Sequence, residues 1–440
     1  MIRIGIDDTD SLKGGCTTYM TTLLVKEFAE YDLIGYPRLV RLNPMIPIKT
    51  RGNGAVAITF GKGKGKLAWT GMIDREDVPM YSRDSHRATG RELEDVAERV
   101  RRLLKKHSDI KNDANPGYVV CGGYPLQSLY WGGVRRYLKM KEVLRALPKG
   151  SIHGGFNGAL GVVGAACALA WRPHDRTWEI ITYRRKERIG TKRRVDERSV
   201  VEMDRRFPGT FSNYDPVHDR VLITPRTPCP ILFGIRSDDP SVLFDAAKAI
   251  RSEDRGTCIL YLTNQATDDH ILRTSIPRVE RYTSVRVHGA VACAPGTIPG
   301  GHVIFSLRDA HGKRVDCAAY EPTKGFRDVV RSLVPGDRVR VQGGVRKEPM
   351  TINLERIDVR KLVTKRLDRP SCCGRRMESM GRGQGFRCRV CRKRSDRMVE
   401  VELKRDIEPG IYHVPLCAAR HISMTEKRRL RRGSIPVSSI

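Results

Sequence analysis

Ile2-Arg3-Ile4-Gly5-Ile6-Asp7-Asp8-Thr9-Asp10-Ser11, followed two residues later by Gly14-Gly15-Cys16-Thr17-Thr18, opens the 440-residue chain and decides how its first unit is read. Ile2, Ile4 and Ile6 alternate as on one face of a short strand. The acidic cluster therefore leaves the strand at its carboxyl end, beside a glycine turn, which is where open α/β sheets bind ligands. Asp7, Asp8 and Asp10 repel one another unless a cation or hydrogen-bond donors hold them, and oxygen-only ligands suit Mg²⁺ carried in with a nucleotide. Tyr19, Met20, Leu23, Leu24, Phe28 and Tyr31 recur at helical spacing, so Gly14 to Thr18 lie at a helix amino terminus, where backbone N–H groups bind anions. Turn building and helix capping by Asp8, Thr9, Asp10 and Ser11 account for the same residues without a ligand. Spacing alone leaves both readings open.

A chain of this length exceeds one hydrophobic core, which predicts two to four domains. With 40% hydrophobic and 30% charged residues it reads as soluble and globular. The formal net charge of +31 costs self-repulsion, which a bound polyanion compensates, so RNA or DNA is the expected partner. The longest apolar run, residues 159–171, is too short to span a bilayer and reads as a buried helix. No signal-peptide pattern precedes Ile2, which predicts a cytoplasmic protein without a membrane partner. The 12 cysteines then read as free thiols and one metal site rather than disulfides.

The fold class expected is α+β and multidomain. Residues 1–150 read as α/β: the first strand and helix, a strand at 55–60, a glycine–lysine loop at 61–66, and an amphipathic helix carrying Leu93, Val96, Val100, Leu103 and Leu104. A second unit begins near Ser151. There Gly155, Gly158, Gly161 and Gly164 fall every third residue, a spacing that fits close helix–sheet packing better than a phosphate loop. From Ser284 the order becomes three short strands (285–291, 302–308, 314–320), a helical turn (326–333) and two more strands (337–341, 352–359). This is the order of an OB-fold, a five-stranded barrel that binds oligonucleotides. Cys372-Cys373, then Cys388 and Cys391, have the separation of a zinc ribbon. A ribbon takes CxxC in its first half as well, so the adjacent pair is a departure, and His413, Cys417 or His421 could supply a replacement ligand. The tail through Arg432 reads as a basic helix or disordered arm attracted to phosphate.

Taken together, several segments resemble one family, the archaeal tRNA(Ile) 2-agmatinylcytidine (agmatidine) synthetases. They are Gly5 to Asp10 with Gly15 to Thr18; Arg41-Leu42-Asn43-Pro44 followed by Ile48 to Ala55; Tyr183-Arg184 leading to Arg194-Val195-Asp196; Thr210 to Asp215; and Pro230 to Arg236. The resemblance implies four domains: a kinase-like ATP-binding domain (1–150), a ferredoxin-like domain (151–277), an OB-fold (278–366) and a zinc ribbon (367–410), followed by a basic tail (411–440). It implies ATP-dependent joining of agmatine to carbon 2 of the wobble cytidine in an isoleucine tRNA with a CAU anticodon, which switches decoding from AUG to AUA. The cytosine carbonyl oxygen is a poor leaving group. Phosphorylating it creates a good one, which the agmatine amine then displaces.

The resemblance also implies roles. Asp7, Asp8 and Asp10 would hold Mg²⁺ on the triphosphate. Gly14, Gly15, Thr17, Gly52, Asn53 and Gly54 would line the ATP site, and Thr18 would accept a phosphate or lie beside the transferred group. Lys49 and Arg51 would neutralise charge in phosphoryl transfer, or else form a basic surface loop. Asp196, Glu197, Glu202 and Asp215 are candidates for the agmatine guanidinium by motif position, although ordinary salt bridges explain them equally well. Cys372, Cys373, Cys388 and Cys391 would bind Zn²⁺. Two competing classes are a non-catalytic tRNA-binding protein, which leaves the acidic first unit without a purpose, and an ATP-dependent enzyme acting on a small molecule, which would turn over without RNA.

Overall fold

A computed structural model of the chain describes residues 1–47 and 52–433. The strand Ile2–Asp7 lies between Gly54–Gly61 and Gly117–Cys121, antiparallel to both. Its fully buried isoleucines face the helix Gly90–His107, which presents Leu93, Val96, Val100 and Leu104 to the same core. On the opposite face the helix Gly161–Ala170 crosses the strand, and nearly all of it is buried. The glycine spacing serves this approach. A Cβ on Gly5 would stand 2.4 Å from the Ala165 carbonyl oxygen, and one on Gly164 only 1.8 Å from Asp7 Oδ2. The helix backbone thus rests on the strand beneath the acidic cluster.

The segment expected as a loop at 61–66 turns only around Lys62, and Gly63–Ile73 is a long strand paired with Glu76–Asp84. Gly-Lys-Gly-Lys has no apolar alternation to announce it, so the pairing partner decides its structure.

Strands Thr177–Tyr183 and Ile231–Ser237 belong to the second unit, yet they join the same sheet. Thr257–Thr263 pairs with Thr177–Tyr183, antiparallel with Gly63–Ile73, and parallel with Arg38–Arg41. One 12-stranded sheet therefore runs through both units. The junction brings residues of either side to a common seam.

Beyond it, Ser284–Val291, His302–Arg308, Arg314–Ala319, Arg338–Val345 and Thr351–Lys361 close a five-stranded barrel. The first strand pairs with the second and fourth, and the fifth pairs with the third and fourth. Its alternating Val, Ile and Leu side chains fill a separate core.

The carboxyl-terminal segment is not an arm held out for phosphate. Gly410–His413 adds a strand to the barrel, the His421 and Ile422 carbonyls accept from the Ala266 and Asp268 amides, and the helix Glu426–Arg431 docks on the second unit. Its basic residues are spent inside the fold. Arg428 is fully buried against Asp175 and Asp238, and Arg429 meets Asp268. Among the described residues no helix is long and apolar enough to cross a membrane.

Candidate active site

Two cavities meet at the carboxyl end of Ile2–Asp7. One, of about 170 Å³, is mainly apolar: Tyr137, Leu138, Met140, Leu160 and Val163 line it, with Asp7, Asp8, Gly52 and Asn53 at its edge. The other, of about 470 Å³, lies in the seam between the two units and is polar, lined by Asp7, Asp10, Thr17, Thr18, Arg41, Glu179, Arg236 and His421, with Gly52, Asn53 and Gly54. Asp7 is the one carboxylate shared by both. Of the residues expected at a nucleotide site, Asp7, Asp8, Asp10, Thr17, Thr18, Gly52, Asn53 and Gly54 are thus brought together. Gly14 and Gly15 line neither cavity. Gly15, at φ +75°, lets the turn close on Thr9, whose carbonyl oxygen a Cβ would meet at 2.8 Å. Lys49 and Arg51 lie outside the described residues.

The helix after the glycines begins at Tyr19, with Thr18 as its N-cap residue, so Asp8 to Ser11 do not cap it. Nor is the Thr18 hydroxyl spent on capping. It lies 3.1 Å from Cys16 Sγ, while the Thr18 carbonyl accepts from Tyr261 Oη at 2.8 Å. Tyr261 is in turn 2.9 Å from Tyr183 Oη, so two strands of the second unit fix the position of a residue of the first. Thr17 Oγ1 donates to Asp10 Oδ1 at 3.3 Å, and Asp8, at φ 57°, directs its amide onto Asp7 Oδ1 at 2.7 Å. A left-handed aspartate next to two others is costly backbone placed where charge is concentrated.

Burial, then the neighbouring Asp8 and Asp10, push the Asp7 carboxyl well above the usual carboxylate range. An oxygen-rich site that disfavours its own ionisation is chemically suited to a hard divalent cation, which supplies the missing positive charge. A pH effect of definite sign follows. Because the folded-state value is raised, Asp7 favours folding below its unfolded value, and that contribution is lost as pH rises through the folded one. Stability of the ligand-free protein should decline over that interval, and saturating Mg²⁺–ATP should reverse the decline. Denaturation midpoints across pH, with and without the nucleotide, measure both.

The wall facing these acids was not legible as a site. Arg41 and Arg236 each leave Nε buried without a hydrogen-bond partner, and Glu179 lies between them, 2.8 Å from Arg236. Burial lowers the Arg41 guanidinium, with Glu179 opposing. His421, returned here by the carboxyl-terminal segment, opens onto the cavity, and the enclosing walls together with Arg236 and Arg41 hold its ring well below the usual imidazole range. Both arginines stand in the segments that carry the family resemblance, which was the available signal. Arg193, three residues before Asp196, fixes the loop lining this wall. Its guanidinium donates to the carbonyls of Pro225, Thr227, Cys229 and Ile231 at 2.8–2.9 Å.

None of the four acids considered for agmatine lines either cavity. Asp196 lines a separate surface cleft, where Arg251 holds it at 2.8 Å and also pairs with Glu202 at 2.9 Å, and Glu197 begins the helix beside them. Asp215 is buried elsewhere, facing His218 and Cys417.

The cysteine cluster is complete without a replacement ligand. Cys372, Cys373, Cys388 and Cys391 bring their sulfurs within 4.8 Å of one another. Adjacency is accommodated because Cys373 takes φ 49° and Gly374 φ 72°, which turns the chain between Ser371–Cys372 and Arg375–Arg376. The Cys391 and Val390 amides draw the Cys388 thiol down to about 7. Four thiols so placed, one of them poised to ionise, fit a tetrahedral Zn²⁺.

Comparison with known proteins agrees with this architecture. Residues 3–153 match the TiaS TCKD domain, residues 159–270 the TiaS FLD domain, and residues 369–407 the TiaS C-terminal zinc ribbon domain. The chain is 39% identical to the tRNA(Ile2) 2-agmatinylcytidine synthetase TiaS of Archaeoglobus fulgidus, over 96% of each chain. It is 37% identical to that of Methanocaldococcus jannaschii, over 96% of this chain and 97% of the relative. Crystal structures of a TiaS–tRNA(Ile2)–ATP complex and a TiaS–tRNA(Ile2)–AMPCPP–agmatine complex superpose with TM-scores of 0.83 and 0.81, at 36% and 33% identity. Each alignment covers 100% of this chain and 99% of the other. A match this long, spanning the acidic first unit, the seam and the cysteine cluster alike, means that the chain belongs to the TiaS family of tRNA(Ile2) 2-agmatinylcytidine synthetases.

Proposed function

We propose that this protein is a cytoplasmic enzyme that uses ATP to join agmatine to carbon 2 of the wobble cytidine of isoleucine tRNA with a CAU anticodon. The observation that carries the reading is the division of one site by Asp7 into an apolar and a polar cavity, with acids on one wall and arginines holding unspent N–H groups on the other. A nucleotide fits that division. The adenosine occupies the apolar cavity, and the phosphates pass between Asp7, Asp8 and Asp10 on one side and Arg41 and Arg236 on the other, reaching Thr17 and Thr18. Gly52 to Gly54 leave room for the phosphates at the shared edge, and the Gly14–Gly15 turn holds the loop that carries the acids. Mg²⁺ bound by the three aspartates would neutralise the triphosphate and polarise the transferred group.

The polar cavity receives the extruded cytidine. Its carbonyl oxygen takes the phosphoryl group, either directly or after Thr18 has carried it, and the arginines stabilise the charge that develops. The agmatine amine then forms a bond to carbon 2 as phosphate leaves. His421, held neutral, can take a hydrogen bond from that amine and keep it unprotonated for attack. Agmatine's guanidinium requires an acceptor, and Glu179 is the carboxylate of this cavity not committed to the metal-bound phosphates. These assignments replace Asp196, Glu197, Glu202 and Asp215, which lie elsewhere.

We read residues 1–150 as the kinase-like domain, 151–277 as ferredoxin-like, 278–366 as an OB-fold and 367–410 as a zinc ribbon. The pairing order of the barrel strands supports the third of these. Zn²⁺ on the four cysteines would hold the ribbon hairpins, with the barrel offering the surface that a large excess of positive charge makes attractive to tRNA. A pure binding role leaves the Asp7–Arg41 cavity with nothing to do. The test is mass spectrometry of the tRNA after incubation with protein, ATP and agmatine. The mass of agmatine, less water, should appear at the wobble cytidine and only when all components are present. An unmodified cytidine under conditions where the tRNA is bound would refute the reading.

A further inference from the structure

A second cluster of ligand-type side chains lies apart from the cavities at Asp7. Tyr214–Asp215 and Arg220–Val221 form a small hairpin, and His218 stands on its turn. The Asp215 side chain is only 3% exposed, in a chain with 81 lysines and arginines. Among the described residues its sole ion-pair partner is the His218 ring, whose Nδ1 lies 3.2 Å from Oδ2. Cys417, 202 residues further on, returns to the same point and donates its amide to Asp215 Oδ2 at 3.1 Å. A carboxylate oxygen, an imidazole nitrogen and a thiol sulfur then lie within 4.8 Å of one another, as closely gathered as the four sulfurs of the ribbon.

We propose that Asp215, His218 and Cys417 bind a second zinc ion, which fastens the carboxyl-terminal segment to the second unit. The donor set selects the metal. Thiolate and imidazole are poor ligands for Mg²⁺ or Ca²⁺, whereas Zn²⁺ accepts sulfur, nitrogen and oxygen in one tetrahedron. Three protein ligands leave a fourth position. Asp215 and His218 face a cavity of about 400 Å³ that can supply water to it. Positive charge there also answers a buried carboxylate with which no arginine or lysine among the described residues forms an ion pair. Because the ligands come from two distant segments, the free energy of binding becomes free energy of docking. The segment fastened is the one that delivers His421 to the seam.

Zinc content of the full-length protein tests this. The wild type, purified with zinc and dialysed, should hold about two ions per chain. Cys417→Ser and His218→Asn should each hold about one, Cys388→Ser/Cys391→Ser about one, and the combination with Cys417→Ser close to none. In the Cys388→Ser/Cys391→Ser protein loaded with Co²⁺ alone, a thiolate-to-metal charge-transfer band should be present, and Cys417→Ser should remove it. One zinc in the wild type, an undiminished count in Cys417→Ser, or no such band would each overturn the proposal and leave a hydrogen-bonded cluster. Serine is close to cysteine in size, so loss of metal without loss of fold is readable by comparing circular dichroism of the two proteins.

Discussion

Asp7→Asn should abolish agmatine transfer while making the ligand-free protein more stable. The substitution keeps the shape of the side chain and its place between the two cavities but removes the charge that a bound cation needs. The interactions lost are those that neutralise phosphate in the transition state, worth several kcal/mol, so turnover should fall by roughly 10³-fold or more. Stability moves the other way because burial and the adjacent Asp8 and Asp10 already disfavour the ionised carboxyl. An asparagine no longer incurs that cost, and the decline of stability with rising pH described above should flatten. Gly164→Ala offers a second route to the same loss. Its Cβ would stand 1.8 Å from Asp7 Oδ2, so the carboxylate must swing away although its chemistry is intact. Single-turnover assays on both variants, with urea denaturation of the ligand-free proteins, separate charge from placement. An active Asp7→Asn protein would remove Asp7 from the metal site. Equal stability of the two variants would contradict the electrostatic account.

The acids could be read directly because one short strand carries them. Ile2, Ile4 and Ile6 must face a core, which fixes where Asp7 to Asp10 emerge, and the glycines of the 161–170 helix announced a backbone contact through their spacing alone. The facing wall is different. Arg41, Glu179, Arg236 and His421 come from four separate segments, and no local pattern marks an arginine as buried with an unspent N–H or a histidine as neutral. Their meaning arises only when strand Thr257–Thr263 joins the two units into one sheet. The basic carboxyl terminus misled for a related reason. Lys427-Arg428-Arg429 looks like a phosphate-seeking run, since sequence gives the charge but not the buried Asp175, Asp238 and Asp268 that absorb it. Adjacent Cys372 and Cys373 raised an objection that two consecutive left-handed residues, Cys373 and Gly374, remove, and backbone sign is invisible in composition.

Arg428→Ala should detach the carboxyl-terminal helix and take activity with it, though the residue lies in neither catalytic cavity. Its guanidinium is fully buried, with Nη2 and Nη1 on Asp175 at 2.6 and 3.1 Å and Nε on Asp238 at 2.6 Å. Removing one member of such a buried network costs about 3–5 kcal/mol. The lower end applies here, because Asp238 is one-third exposed and Asp175 keeps Arg432. About 3 kcal/mol corresponds to roughly 100-fold faster amide exchange in residues 410–431, measured against the unchanged barrel core. The effect has a pH signature. Burial alone would raise Asp175, but Arg428 and Arg432 hold it below the usual carboxylate range. Its stabilising contribution is therefore present above the unfolded carboxylate value and lost as pH falls through the folded one, so wild type and variant should converge in acid. Loss of activity follows from connectivity rather than contact. His421 sits seven residues before Arg428, and its carbonyl is tied to Ala266, whose own carbonyl accepts from Arg428 Nη1 at 2.5 Å. Once that anchor goes, the imidazole is no longer held against Arg41 and Arg236. The rate of agmatine transfer should then fall with little change in the concentration of ATP needed for half-saturation. A rise in the ATP requirement instead would mean that the helix supports the nucleotide cavity and not the seam.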